Sequence, residues 1–206
     1  MKRITLCALF LTLFLLLSCN TSGKNLTDDE VAKSDGTVID LAKITKNITD
    51  SVAFAKSVKE VHTLVKSIDT LAKAIGKKIK DGGGLDTEND KNGSLIAGAY
   101  NVALDIQAKL LALETKTADN ELKKQVTEAK TSSTEFINKV KGAHTDLGKN
   151  DAKDEDAKKA IDISDATGDK GAADLVKLNT EIGKLLTAAE AAVTSAINAL
   201  TTPAKP

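Results

Sequence analysis

Apolar residues recur every three or four positions from Leu41 onward: Leu41, Ile44, Ile48, Val52, Ala55, Val58, Val61, Val65, Ile68, Ala72, Ile75 and Ile79. Eleven steps over 38 residues lie close to the 3.5-residue period that keeps an apolar seam facing a partner helix. The spacing predicts one long helix, the spine of a bundle, with Gly76 as the place where it would break. The glycine-rich stretch 81–93, "DGGGLDTENDKNG", ends the pattern. Ser94 then fits the N-cap of a second helix, with Leu95, Ala99, Val102, Ile106, Leu110 and Leu113 on one face. A third helix is expected over 119–142, using Leu122, Val126, Ala129, Phe136 and Val140, and a short fourth over 154–163. The fifth, 171–200, carries Leu175, Leu178, Ile182, Leu185, Ala189, Val193, Ala196 and Leu200, and its run "TAAEAAVTSAINAL" is small enough to let a neighbour approach closely. It is expected to lie antiparallel to the first helix, bringing the two ends of the domain together. The fold class is all-α: an elongated bundle of about five helices with long first and last members, spanning 37–202. No internal repeat at a fixed period is visible.

The N-terminal pattern is of another kind. Lys2 and Arg3 precede "ITLCALFLTLFLLL", an uncharged run of 14 residues. At 1.5 Å per residue it reaches about 21 Å, short of a bilayer core of about 30 Å. It reads as a secretory signal over 1–18 rather than a lasting span. An ordinary signal ends in small residues; this one ends Leu16-Leu17-Ser18-Cys19, the pattern of a bacterial lipobox. The thiolate of Cys19 would accept a diacylglyceryl group as a thioether, and cleavage before it would free an amine for a further acyl chain. Two or three chains hold stably where one does not. Cys7 lies within the signal, so the mature chain keeps one sulfur, already bound to lipid, and no intrachain disulfide is available. Residues 19–36 are polar and read as a flexible lipid-proximal tether; 203–206, with Pro203 and Pro206, read as a disordered tail.

Composition excludes several function classes. Lys and Arg number 29 and Asp and Glu 29, so losing Lys2 and Arg3 leaves the mature chain slightly acidic. Without a basic field, and with only Phe54, Tyr100 and Phe136 as aromatics after the signal, nucleic acid is not an expected partner. The acidic stretch Asp86-x-Glu88-x-Asp90 has Lys91 where a calcium loop needs glycine. His62 and His144 have no zinc-ligand spacing, and no phosphate-loop or nucleophile-elbow motif occurs. No catalytic residue, metal or cofactor is expected beyond the covalent lipid on Cys19, and the chain does not read as an enzyme.

One charged constellation stands out. Lys59, Lys66, Lys73, Lys77 and Lys80 are spaced 7, 7, 4 and 3 apart and fall on one face of the expected first helix. Such a stripe suits a polyanion held by salt-sensitive point charges, without the bidentate geometry of arginine. The competing reading is a solvated face diluted by Asp69 and Asp81.

The segments "LLSCNTSGK", "VKEVHTLVKSIDTLAKAIGKKI", "GLDTENDKNGSLIAGAY", "HTDLGK" and "KGAADLVKL" resemble, in order and over nearly the whole chain, the Borrelia outer surface protein C and variable small protein family, most of all a relapsing-fever variable small protein. The resemblance implies a surface-exposed, lipid-anchored protein of the outer membrane. It also implies short irregular or β connections and a homodimer built around the first helices. Roles in antigenic variation, immune evasion and host–vector interaction follow, with host antibodies as partners and glycosaminoglycans or plasminogen as ligands of some members. A small ligand or host protein at the dimer interface is the alternative. Two departures matter. Ser132 stands where outer surface protein C has a cysteine, so a dimer would be noncovalent. The tail keeps Lys205 alone, which weakens any case for plasminogen. Two functions remain open: a polyanion-binding adhesin, and a variable coat whose loops 81–93, 114–120 and 143–153 serve as the changing antibody target.

Overall fold

The computed structural model describes residues 30–32, 38–165 and 167–200. The signal, Cys19, most of the tether and the 203–206 tail lie outside these residues. Four long helices form the body: α1 (Leu41–Ala72), α2 (Gly93–Lys116), α3 (Asn120–Gly142) and α6 (Ala172–Asn198). Two short ones, α4 (His144–Leu147) and α5 (Asp154–Ile161), stand between α3 and α6. Four strands pair as two antiparallel hairpins, β1 (Glu30–Ala32) with β2 (Val38–Asp40) and β3 (Lys77–Ile79) with β4 (Leu85–Thr87).

Side-chain pairs set the helix directions. Glu60 meets Lys109 at 3.1 Å, Gln107 meets Thr134 at 2.9 Å, and Lys177 reaches Glu135 at 3.9 Å. Each pairing joins antiparallel neighbours, so the helices run up, down, up, down, and α6 lies antiparallel to α1 as expected. Asn179 also touches Asp69 of α1 at 3.4 Å. One apolar core runs between the four, with Val61, Val65, Ile68, Ile106, Leu110, Phe136, Leu178 and Ile182 completely buried. Each such side chain contributes about 1.5–3 kcal/mol relative to exposure. Ala99, Ala103, Ala129 and Ala189 are also completely buried and keep the helices close.

Local chemistry fixes the helix ends. Asp40 caps α1 by accepting from the Lys43 N–H at 2.8 Å, and Asp119 caps α3 by accepting from Leu122 N–H at 2.9 Å. Lys139 and Lys141 sit favourably at the negative C-terminal end of α3.

Several expectations are corrected. The first helix stops at Ala72, just short of the expected break at Gly76, so the apolar seam does not run on to Ile79. Gly76 has φ +67°, its N–H donates to Asn92 Oδ1 at 2.9 Å, and a Cβ there would meet Asp154 Oδ2 at 2.5 Å. Ile75 still turns into the core, but Ile79 stands on a strand at 84% exposure and belongs to no seam. The second helix starts at Gly93, before the expected cap Ser94. Ile96 and Ala103, rather than Leu95 and Val102, complete its buried face. Residues 143–153 contain the turn of helix α4, so the described helices number six, and the expected tether contains strand β1.

Candidate functional site

The bundle has two unlike ends. At one lie the start of α1, the α2–α3 turn at 117–119 and the end of α6. At the other, here called the distal pole, the β3–β4 hairpin meets α4, α5 and the turn into α6.

The distal pole is stitched by polar groups. Asn92, only 2% exposed, accepts from Gly76 N–H, while its Nδ2 donates to Ala152 O at 3.0 Å and to Asp154 Oδ1 at 2.8 Å. Asp90 and Asp154 each accept from the other's backbone N–H at 2.9 Å. The Asn92 hydrogen bond, followed by the Asp90 N–H, holds the Asp154 carboxyl below its usual range. A second junction centres on Lys170, which bonds Asp146 of α4 and reaches Asp156 of α5 at 3.1 Å. The hydrogen bond to Asp146 raises the Lys170 ammonium and depresses the Asp146 carboxyl. Loops 81–93 and 143–153, far apart in sequence, therefore form one surface. Loop 114–120 lies at the opposite end of the bundle.

The five candidate lysines do not form one helical stripe. Lys59, Lys66 and Lys73 share a face of α1 and its C-cap, but Lys77 and Lys80 belong to the hairpin beyond it. All five are exposed. Lys66 is paired with Asp69 at 3.2 Å, and the neighbouring Lys78 reaches Glu88 at 3.8 Å. Lys77 lies near enough to Asp154 to favour its charged form. Cys19 lies outside the described residues. His62 is half-buried on α1, and His144 is exposed at the start of α4. Among the described residues no group of three or more His, Cys, Asp or Glu is placed to hold a metal.

Sequence reasoning missed the Asn92–Asp154 junction. The sequence placed a local cap at Ser94, but the partners of Asn92 lie about 60 residues away and no local pattern announces them.

Comparison with known proteins supplies the remaining context. A family model described as "Lipoprotein" matches residues 38–206. The chain is 48% identical over 210 residues to an outer surface protein C of Borreliella burgdorferi, covering 98% of this chain and 96% of that protein. It is 47% identical to variable small protein 11 of Borrelia hermsii, covering 99% and 98%. Among solved structures, variable small protein 1 of Borrelia turicatae superposes with a TM-score of 0.75 at 62% identity, covering 78% of this chain and 99% of that one.

Proposed function

Because this chain belongs to the lipoprotein family of outer surface protein C and the variable small proteins, we propose that it acts as a variable surface antigen that displays its distal pole to host antibodies. It is a surface-exposed lipoprotein of the outer membrane, and its family is one of surface lipoproteins rather than of enzymes. Lipid on Cys19 would hold the N-terminal end of α1 toward the membrane. The convergence of loops 81–93 and 143–153 at the other end carries this reading. It makes one outward surface from segments whose side chains are mostly exposed.

The experiment is a reciprocal swap of 81–93 together with 143–153 between this chain and a relative, read by immune serum raised against each parent. Recognition should follow the swapped loops. Serum that follows the helices instead would refute the proposal.

A noncovalent homodimer fits the open face at the start of α1, where Val52 is 48% exposed and Ile44 and Ile48 are only half-covered. Val52→Asp should shift sedimentation toward monomer.

Glycosaminoglycan binding is a second reading, supported by the exposure of Lys73, Lys77 and Lys80 near the distal pole. Binding to immobilised heparin should fall steeply with salt and be lost when Lys59, Lys66, Lys73 and Lys77 become glutamate. Retention unchanged by salt or by these substitutions would remove it.

A further inference from the structure

A groove of about 990 Å³ opens at the distal pole between the first turns of α2, the last turn of α3 and α4. That volume is at the upper end of what small-molecule sites enclose. Its floor is apolar: Ile96, Val140 and Leu147 are buried beneath it, Ala97 is exposed on its wall, and Tyr100 is half-buried at one side. Its rim is cationic. Lys141, His144 and Lys149 line it, and no Asp or Glu does among the described residues. Gly93 and Ser94, in the first turn of α2, add the positive end of a 24-residue helix. That end lacks a side-chain cap, because Asn92 commits its amide to Gly76, Ala152 and Asp154. The nearest acidic side chain of α4, Asp146, is engaged by Lys170.

We propose that this groove binds an acyl-chain carboxylate, a free fatty acid, with its chain on the Ile96–Val140–Leu147 floor and its carboxylate between Lys141, Lys149 and the start of α2. The pattern argues against a polysaccharide polyanion, because a hydrated sugar would bury the apolar floor without matching it. It argues equally against a neutral lipid, which would leave Lys141 and the start of α2 without a counter-charge, Asp146 lying within reach of Lys149 alone on this rim. The groove lies within one chain and at the end opposite the start of α1, so it is separate from the proposed dimer face and from the anchor.

The sequence itself provides the reporter. Tyr100 is the only tyrosine and the chain has no tryptophan. The test uses residues 20–206, which contain the whole helical core, titrated with dansylaminoundecanoate while exciting tyrosine. Transfer from Tyr100 to the dansyl group should saturate at one probe per chain, and dodecanoate should displace the probe. Ala97→Phe, which fills the wall, should weaken binding at least about tenfold, and the paired change Lys141→Glu and Lys149→Glu by about tenfold, less at high salt. Helical circular dichroism verifies that each variant is folded; the surface lysine pair decides the matter if Ala97→Phe is not. Displacement by dodecanol as effective as by dodecanoate would overturn the proposal. So would parental affinity in both variants, or sedimentation of the protein with phosphatidylglycerol vesicles without probe binding, which would make the cationic rim a membrane contact.

Discussion

In the C-terminal half of α1, Val58, Val61, Val65 and Ile68 are completely buried, whereas in the N-terminal half Ile44 and Ile48 are only half-covered and Val52 remains 48% exposed. The spacing is the same in both halves. What differs is the number of neighbours at each level. Toward the distal pole, α2, α6 and α5 all press on α1, while toward its start the flanking helices are themselves ending. A heptad rhythm thus marks a face that seeks a partner, and the partner can come from the same chain at one level and from elsewhere at another.

Substitutions in the two halves put this contrast to the test. Ile68→Ala should destabilise the fold by about 2–4 kcal/mol, the cost of lost burial plus a cavity, measured by urea denaturation. Next in size is Asn92→Ala, which strands Gly76 N–H and removes a donor from Asp154; a loss of about 2 kcal/mol is expected. The Asp154 carboxyl adds a pH signature. Its folded pKa is depressed, so its contribution is complete above the unfolded value of about 3.9 and is lost as pH falls through the lower folded value. Asp154→Asn should therefore flatten the fall in stability below about pH 4. Ser133 is smaller still. Its hydroxyl is fully buried without a partner, and Ser133→Ala should leave stability unchanged or raise it by up to about 1 kcal/mol. Last comes Val52→Ala, expected to change the unfolding of the single chain by about 0.5 kcal/mol or less. A cost at Val52 equal to that at Ile68 would erase the distinction between the halves.

The same contrast explains what the sequence made legible. Helix existence and core faces were readable because their cause, apolar spacing, is local: Val126, Ala129, Phe136 and Val140 are buried where the period puts them. The end of α1 was legible only as a break at Gly76. Apolar residues continue in register through Ile79, and only the left-handed Gly76 with its distant partners Asn92 and Asp154 ends the helix at Ala72. Ser94 fits the cap rule because that rule looks three residues ahead, whereas Asn92 is committed to a contact across the fold. The lysine stripe failed beyond Lys73 for the same reason, since a stripe is continuous only while its helix is. The groove at Tyr100 and His144 had no signature in the sequence, because its walls come from three separate elements.

The up-down order of the helices also decides how the molecule bears force. Held at the N-terminal side of α1 and gripped at the distal pole, α1 is loaded along its length and must slide past its neighbours, breaking many packed side chains together. Pulled instead between Leu41 and Asn198, which share one end, α1 and α6 unzip turn by turn. Optical-tweezers extension across the first pair of points should rupture at higher force than across the second. The arrangement sets the strong direction along the line from the start of α1 to the distal pole.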